Sequence, residues 1–209
     1  TLTDGAMELR ADFARMLPRL KQGRLQQELL VKAARTKGIE HPWAIDATAG
    51  FGEDSLLLAA AGFAVDLYEQ DRVIAALLQD ALDRAADDPA LADAVARMRL
   101  HAGEDSIAGL HQTAASIEQG ELTAPDVVYL DPMFPGRQKS GLINKKLQLI
   151  QKLEPPCSEE TALFDAAMAA QPSKIIVKRP LKSPYLDERV PSYSLKGKAI
   201  RYDCYSPYK

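Results

Sequence analysis

Cysteine is nearly absent. Cys157 and Cys204 stand in unrelated contexts, and no CxxC occurs. Two isolated thiols build neither a disulfide framework nor a zinc knuckle, so the chain reads as a cytoplasmic protein with reduced cysteines. Histidine is as scarce. His41, His101 and His111 share no ligand spacing and read as surface or loop residues, so no metal is expected. No apolar run approaches the roughly 18 residues of a membrane span, which excludes a membrane partner at this level. The opening Thr1-Leu2-Thr3-Asp4-Gly5 lacks the basic-then-apolar pattern of a signal peptide. Thr1 is no initiator methionine, so residues are expected to have been lost ahead of it. Repeats and low-complexity linkers are missing too. What is left is a chain of 209 residues, 46% hydrophobic, long enough for one globular core and a small appendage.

The net charge of −3 is unevenly spread. Residues 1–40 carry +3, residues 41–136 carry −13, and residues 137–209 carry +7. An acidic centre suits a cationic ligand, and basic flanks suit a polyanion. Part of the acidic excess falls on one helical region holding Asp80, Asp83, Asp87, Asp88 and Asp93, which a solvated helix face explains equally well.

The most informative stretch is Asp126-Val127-Val128-Tyr129-Leu130-Asp131-Pro132-Met133-Phe134-Pro135. Asp126 to Leu130 is a short, mostly apolar run with β-branched and aromatic members, which predicts a buried strand. Pro132 and Pro135 cannot donate to a sheet ladder, so the strand must stop there. Asp131 is thereby delivered to the C-terminal end of a strand, where open α/β sheets bind ligands. An acid, a proline carbonyl and a nearby aromatic ring can grip a planar base that carries an amino group. Asp131 and Pro132 would accept hydrogen bonds from the amine, and Phe134 would stack on the base.

Upstream, Leu9 to Lys37 reads as a basic helix interrupted at Pro18 and ended near Gly38. Trp43-Ala44-Ile45-Asp46 reads as a strand, followed by a turn at Gly50 and Gly52. Asp54 or Ser55 is a candidate cap for a helix running to Ala61. Phe63 to Glu69 is a second strand that ends in an acid, 19 residues after Gly50. Strand, glycine turn, helix, strand, acid is a nucleotide-binding βαβ unit, and Glu69 stands where a carboxylate accepts ribose hydroxyls. Asp46 ahead of the glycines would repel a diphosphate. That favours S-adenosylmethionine over NAD, because an amino-acid end and a sulfonium replace the phosphates.

Asp71 to Arg97 has apolar residues at helical spacing, broken at Pro89. Met98 to Gly103 reads as a third strand, with Glu104-Asp105-Ser106 at its end. Asp105 and Ser106 can read an adenine amino group or simply cap the next helix. Gln138 to Leu153 reads as a helix with Lys139, Lys145 and Lys146 opposite its apolar stripe, either a solvated face or an RNA contact. Thr161 to Ala170 reads as a further helix. Lys174 to Pro180 reads as another strand, bringing Lys178 and Arg179 to the same edge as Asp131, where both are candidate phosphate contacts. Tyr193 to Tyr205 reads as two strands joined at Lys196-Gly197.

Asp46-Ala47-Thr48-Ala49-Gly50-Phe51-Gly52-Glu53-Asp54, Val127 to Pro135 and Val177-Lys178-Arg179-Pro180 closely resemble the bacterial 16S ribosomal RNA guanine-N2 methyltransferases. The resemblance runs from about residue 41 to the end, and the stretch before Trp43 matches poorly. It implies a Rossmann-like class I methyltransferase fold of the α/β class. The sheet would be seven-stranded and mostly parallel, with a C-terminal antiparallel hairpin and helices on both faces. It divides the chain into a basic helical segment over residues 1–40 and a methyltransferase domain over 41–209. It further implies S-adenosylmethionine as cofactor, with contacts from Glu53, Asp54, Glu69, Gln70, Asp105, Ser106 and Asp131, and 16S ribosomal RNA or the small ribosomal subunit as partner. Three other readings remain: a methyltransferase acting on DNA or RNA adenine or on a protein glutamine, an NAD-binding Rossmann protein, and a non-catalytic RNA-binding module.

Overall fold

The computed structural model describes residues 2–3, 8–132 and 160–207. Its frame is a seven-stranded sheet. β3 (Trp43–Asp46), β4 (Ala64–Glu69), β5 (Met98–Ala102), β6 (Val127–Leu130) and β7 (Lys174–Pro180) are parallel, and β8 (Tyr193–Lys196) with β9 (Ile200–Tyr205) closes one edge as a hairpin. The order across the sheet is β5-β4-β3-β6-β7-β9-β8. β9 pairs antiparallel with both of its neighbours, so it alone runs against the other six. This is the class I methyltransferase arrangement expected from the sequence. A two-stranded antiparallel pair, β1 (Leu2–Thr3) with β2 (Glu8–Leu9), was not expected.

The central strands are hydrophobic on both sides because both faces are covered. Alternation sorts β6 cleanly: Val127 and Tyr129 join one core, and Val128 and Leu130 join the other. The first core lies under α2 (Leu29–Ala34), α3 (Glu53–Ala60), α4 (Arg72–Ala86) and α5 (Ala92–Val95). The second lies under α6 (Ser106–Glu118) and α7 (Glu160–Ala169). On α4, Ile74, Leu77, Leu78, Ala81, Leu82 and Ala85 form the buried stripe, and Asp71 caps the helix by accepting from the Val73 and Ile74 amides. Pro89 falls in the break between α4 and α5, as expected.

The reading of Leu9–Lys37 as one interrupted helix needs correction. The segment is a chain of short pieces: a 3-10 turn at Phe13–Met16, α1 (Leu17–Leu20), a second 3-10 turn at Leu25–Gln27, and α2. Pro18 fits only in the first turn of α1, and Gly23 at φ 87° reverses the chain beyond it. Leu9, Phe13, Met16, Leu25, Leu30 and Val31 are buried in the same core as α3 and α4. Each such large side chain contributes about 1.5–3 kcal/mol on burial, so this segment is held by packing rather than by helix propensity. The cap of α3 is also corrected: Gly52, in the left-handed region at φ 70°, stands there, with Glu53 and Asp54 in the first turn. His101, read as a surface or loop residue, lies on β5. It stacks on Tyr68 at 4.3 Å and bonds Asp66 at 2.8 Å. The expected helix at 138–153 lies outside the described residues.

Candidate active site

The direction of progression reverses between β3 and β6, and their C-terminal ends form the crevice where open α/β sheets take ligands. Asp46 ends β3. It is fully buried, accepts the Thr48 amide at 3.0 Å and takes the Ser55 hydroxyl from α3. Burial pushes its carboxyl up to about 7, against the opposing hydrogen bonds from Ser55 and Thr48.

The turn after β3 is tied down on two sides. The Ala49 amide donates to the Tyr68 carbonyl at 3.0 Å, and the Asp131 amide donates to Thr48 Oγ1 at 2.6 Å. A side chain at Gly52 would be strained, because its φ is positive and an added Cβ would stand 2.8 Å from Leu78 Cδ1, which would have to shift. Gly50, also at positive φ, has nothing within 4 Å of such a Cβ, so space lies over it.

Glu69 ends β4 and is 5% exposed. Its two oxygens accept the Gly50 and Asp71 amides, each at 2.8 Å. The carboxylate thus couples the glycine turn to the start of α4. Gln70, beside it, is exposed. At the end of β5, Asp105 accepts the Ile107 and Ala108 amides and caps α6, with Ser106 as the first helical residue. The helix-cap role foreseen for Asp105 is therefore present in the structure.

At the end of β6 the side chains form a linked set. Lys178 of β7 places Nζ 2.8 Å from Asp131 Oδ2 and 2.6 Å from Asp54 Oδ2. The Tyr129 hydroxyl donates to Asp54 at 2.6 Å. Burial works against the charge on Asp54, but Lys178 and Tyr129 outweigh it and hold the carboxyl below its usual range. Burial also works against the Lys178 charge, and Asp131 and Asp54 overcome it, raising the amine above its ordinary value. Tyr129 is pushed far up by burial and then by Asp54 and Asp131, so its phenol stays a donor.

Lys178 and Arg179 do not stand as an exposed cationic pair. Lys178 points into the crevice and is shared by two carboxylates. Arg179 is 3% exposed, donates to the Pro184 carbonyl at 3.1 Å and lies 3.5 Å from Glu160. A phosphate cannot reach a guanidinium buried in this way, which corrects the expectation for Arg179. Strand alternation is the reason: neighbours on β7 point to opposite faces. Glu53 is exposed in the first turn of α3, and Pro132 is buried. Phe134, Lys139, Lys145 and Lys146 lie outside the described residues. Thr48 and Tyr129 were missed by the sequence reading, and Ser55, read there as a helix cap, donates instead to Asp46. A tyrosine in an otherwise aliphatic strand was the one available signal.

These acids suit a cofactor without phosphates. Glu69 takes the Gly50 amide and Asp46 takes the Thr48 amide, so a diphosphate would meet carboxylates where a phosphate-binding turn offers donors. Among the described residues no three potential ligands cluster as a metal site, and no helix is long and apolar enough to cross a membrane. A depression lined by Val31, Arg35, Ile39, Pro42 and Phe63 lies at the opposite, N-terminal end of β3 and β4 and holds none of the strand-end acids.

Comparison with known proteins agrees with this geometry. The family model described as putative SAM-dependent methyltransferase matches residues 3–207. The ribosomal RNA small subunit methyltransferase J of Pseudomonas paraeruginosa is 41% identical over 204 residues, 97% of this chain and 75% of that protein. That of Thioalkalivibrio sulfidiphilus is 38% identical over 98% of this chain and 78% of its own. A solved SAM-dependent methyltransferase from Neisseria gonorrhoeae superposes with a TM-score of 0.75 at 31% identity, covering all of this chain and 78% of that one. The similarity therefore includes the stretch before Trp43, which the sequence reading had set aside.

Proposed function

Since the chain belongs to a SAM-dependent methyltransferase family whose model spans nearly its whole length, and to the same family as the ribosomal RNA small subunit methyltransferases J that match it, we propose that it methylates the exocyclic N2 amine of a guanine in 16S ribosomal RNA. It is an enzyme that uses S-adenosylmethionine. Bound S-adenosylmethionine supplies a methyl group already activated on a sulfonium, so the protein need only hold the amine, the methyl and the departing proton in order.

The observation that carries the reading is Asp131, an acid at the end of β6 whose amide is fixed to the glycine turn through Thr48 and whose carboxylate is fixed by Lys178. The lone pair of the guanine N2 is delocalised into the ring. Hydrogen bonds from its NH2 to Asp131 and to the Pro132 carbonyl would concentrate density on nitrogen and set its direction. An ionised Asp131 can also accept the proton that N2 sheds. Phe134 would stack on the base, which must leave its own stack to enter the crevice. Glu69 would hold the ribose of the cofactor, Asp105 and Ser106 its adenine, and Asp46, Gly50, Glu53, Asp54 and Gln70 would complete its surroundings. The 41–209 region would carry this chemistry, with side chains of the described stretch 9–34 packed in its core. Lys139, Lys145 and Lys146 would meet RNA phosphates.

Tritiated methyl transfer to small-subunit RNA, with the product nucleoside identified by mass spectrometry, tests the reading. N2-methylguanosine is expected from the native protein, and none from Asp131→Ala with the fold intact. A different methylated nucleoside would reject the substrate assignment. Near-normal product from Asp131→Ala would remove the carboxylate from the chemistry.

A further inference from the structure

We propose that Lys178 is a positioning residue for methyl transfer: its ammonium, clamped between Asp54 and Asp131, holds the Asp131 carboxylate ionised and turned toward the substrate amine. The inference rests on the reading just given and assigns Lys178 to the reacting centre rather than to an RNA phosphate.

The geometry carries it. Lys178 stands on the strand next to β6 and its Nζ lies 2.8 Å from Asp131 and 2.6 Å from Asp54. Its side chain is only 22% exposed, so water screens these pairs weakly. Among the described residues the groups facing it are Asp54 from α3, Asp131 just past β6 and Tyr202 opposite it on β9, and Tyr129 of β6 donates to the same Asp54. Asp46 lies behind both acids on β3, and Arg19 of α1 acts on Asp54 and Tyr202 from the rim while bonded to Glu28 at 2.8 Å. Two carboxylates and one ammonium leave a single negative charge, which would match one cationic sulfonium. Without the ammonium, Asp54 and Asp131 would repel each other across the gap, and one would take up a proton. A protonated Asp131 neither aligns an amine donor nor accepts its proton.

The test compares the native protein with Lys178→Met and Asp54→Asn, measuring kcat, the KM for small-subunit RNA, the pH profile of kcat and the salt dependence of RNA use. The native product is identified first, and anything other than N2-methylguanosine overturns the reading beneath the proposal. Lys178→Met should lower kcat about a hundredfold at neutral pH, the scale of a misaligned catalytic group. Its acidic limb should move to higher pH, while RNA KM and salt slope stay near native. Asp54→Asn leaves the ammonium to Asp131 alone, so its acidic limb should move to lower pH. These opposite shifts separate positioning from a merely structural role, and Asp54→Asn decides alone if Lys178→Met does not fold. A raised RNA KM with a flatter salt slope and an unmoved pH profile would overturn the proposal and return Lys178 to a phosphate. So would an acidic limb that Asp54→Asn leaves in place.

Discussion

Replacing Asp46 with Asn should remove a pH dependence of stability that the native chain carries. Asp46 is 1% exposed at the end of β3, and burial raises its carboxyl from an ordinary value near 3.8 to about 7. The sign follows from proton binding. As pH rises above 3.8 the unfolded chain releases this proton first, so the native state holds more protons and stability falls with pH. The contribution is full below about 4 and is lost as pH rises through about 7. A separation of roughly three units at about 1.4 kcal/mol each gives a loss on the order of 4 kcal/mol. The assay is urea unfolding of both proteins without cofactor at intervals from pH 4 to 8. Asp66, held below the usual carboxylate range, titrates in both proteins and cancels in the difference. Asp46→Asn should gain on the native protein by several kcal/mol between the two ends of the series. A difference that stays constant within about 1 kcal/mol, near the extrapolation uncertainty of such measurements, would refute the reasoning.

Glu69→Ala should weaken S-adenosylmethionine binding by about 1–3 kcal/mol, the usual cost of losing charged hydrogen bonds, because the carboxylate that would hold the ribose is removed and the glycine turn loses its tie through the Gly50 amide. Calorimetry checks this, and tight NAD binding by the native protein would contradict the cofactor assignment. Gly52→Ala should destabilise the fold by about 2–5 kcal/mol, combining a left-handed backbone with the clash against Leu78. Chemical denaturation would read the change, and a loss below about 1 kcal/mol would mean that the turn relaxes. Phe134→Ala should weaken RNA use by roughly 1–3 kcal/mol, the scale of base–aromatic stacking, with cofactor affinity almost untouched. Filter binding and steady-state kinetics on the same RNA separate the two effects.

The central strands β3, β4, β6 and β7 were legible in the sequence because each has a short apolar stretch closed by an acid or a proline. Asp126 to Leu130 read as a buried strand, and Pro132 fixed where it stops. The acids at the strand ends were legible for the same reason: a strand's end is a local property. The N-terminal segment was not legible. The basic stretch around Pro18 reads as an interrupted helix, and only the packing of Leu9, Phe13, Leu25 and Leu30 in the same core as α3 and α4 selects the broken path it follows. The partners of polar side chains were not legible either. Lys178 stands 124 residues from Asp54 and 47 from Asp131, and no local pattern links them. Whether a lysine at a strand end faces a phosphate or a pair of carboxylates depends on which strands lie side by side. The sheet order set that. It placed β7 next to β6, with α3 above the same edge. There the desolvation of each charge leaves the opposite charge as its best available partner.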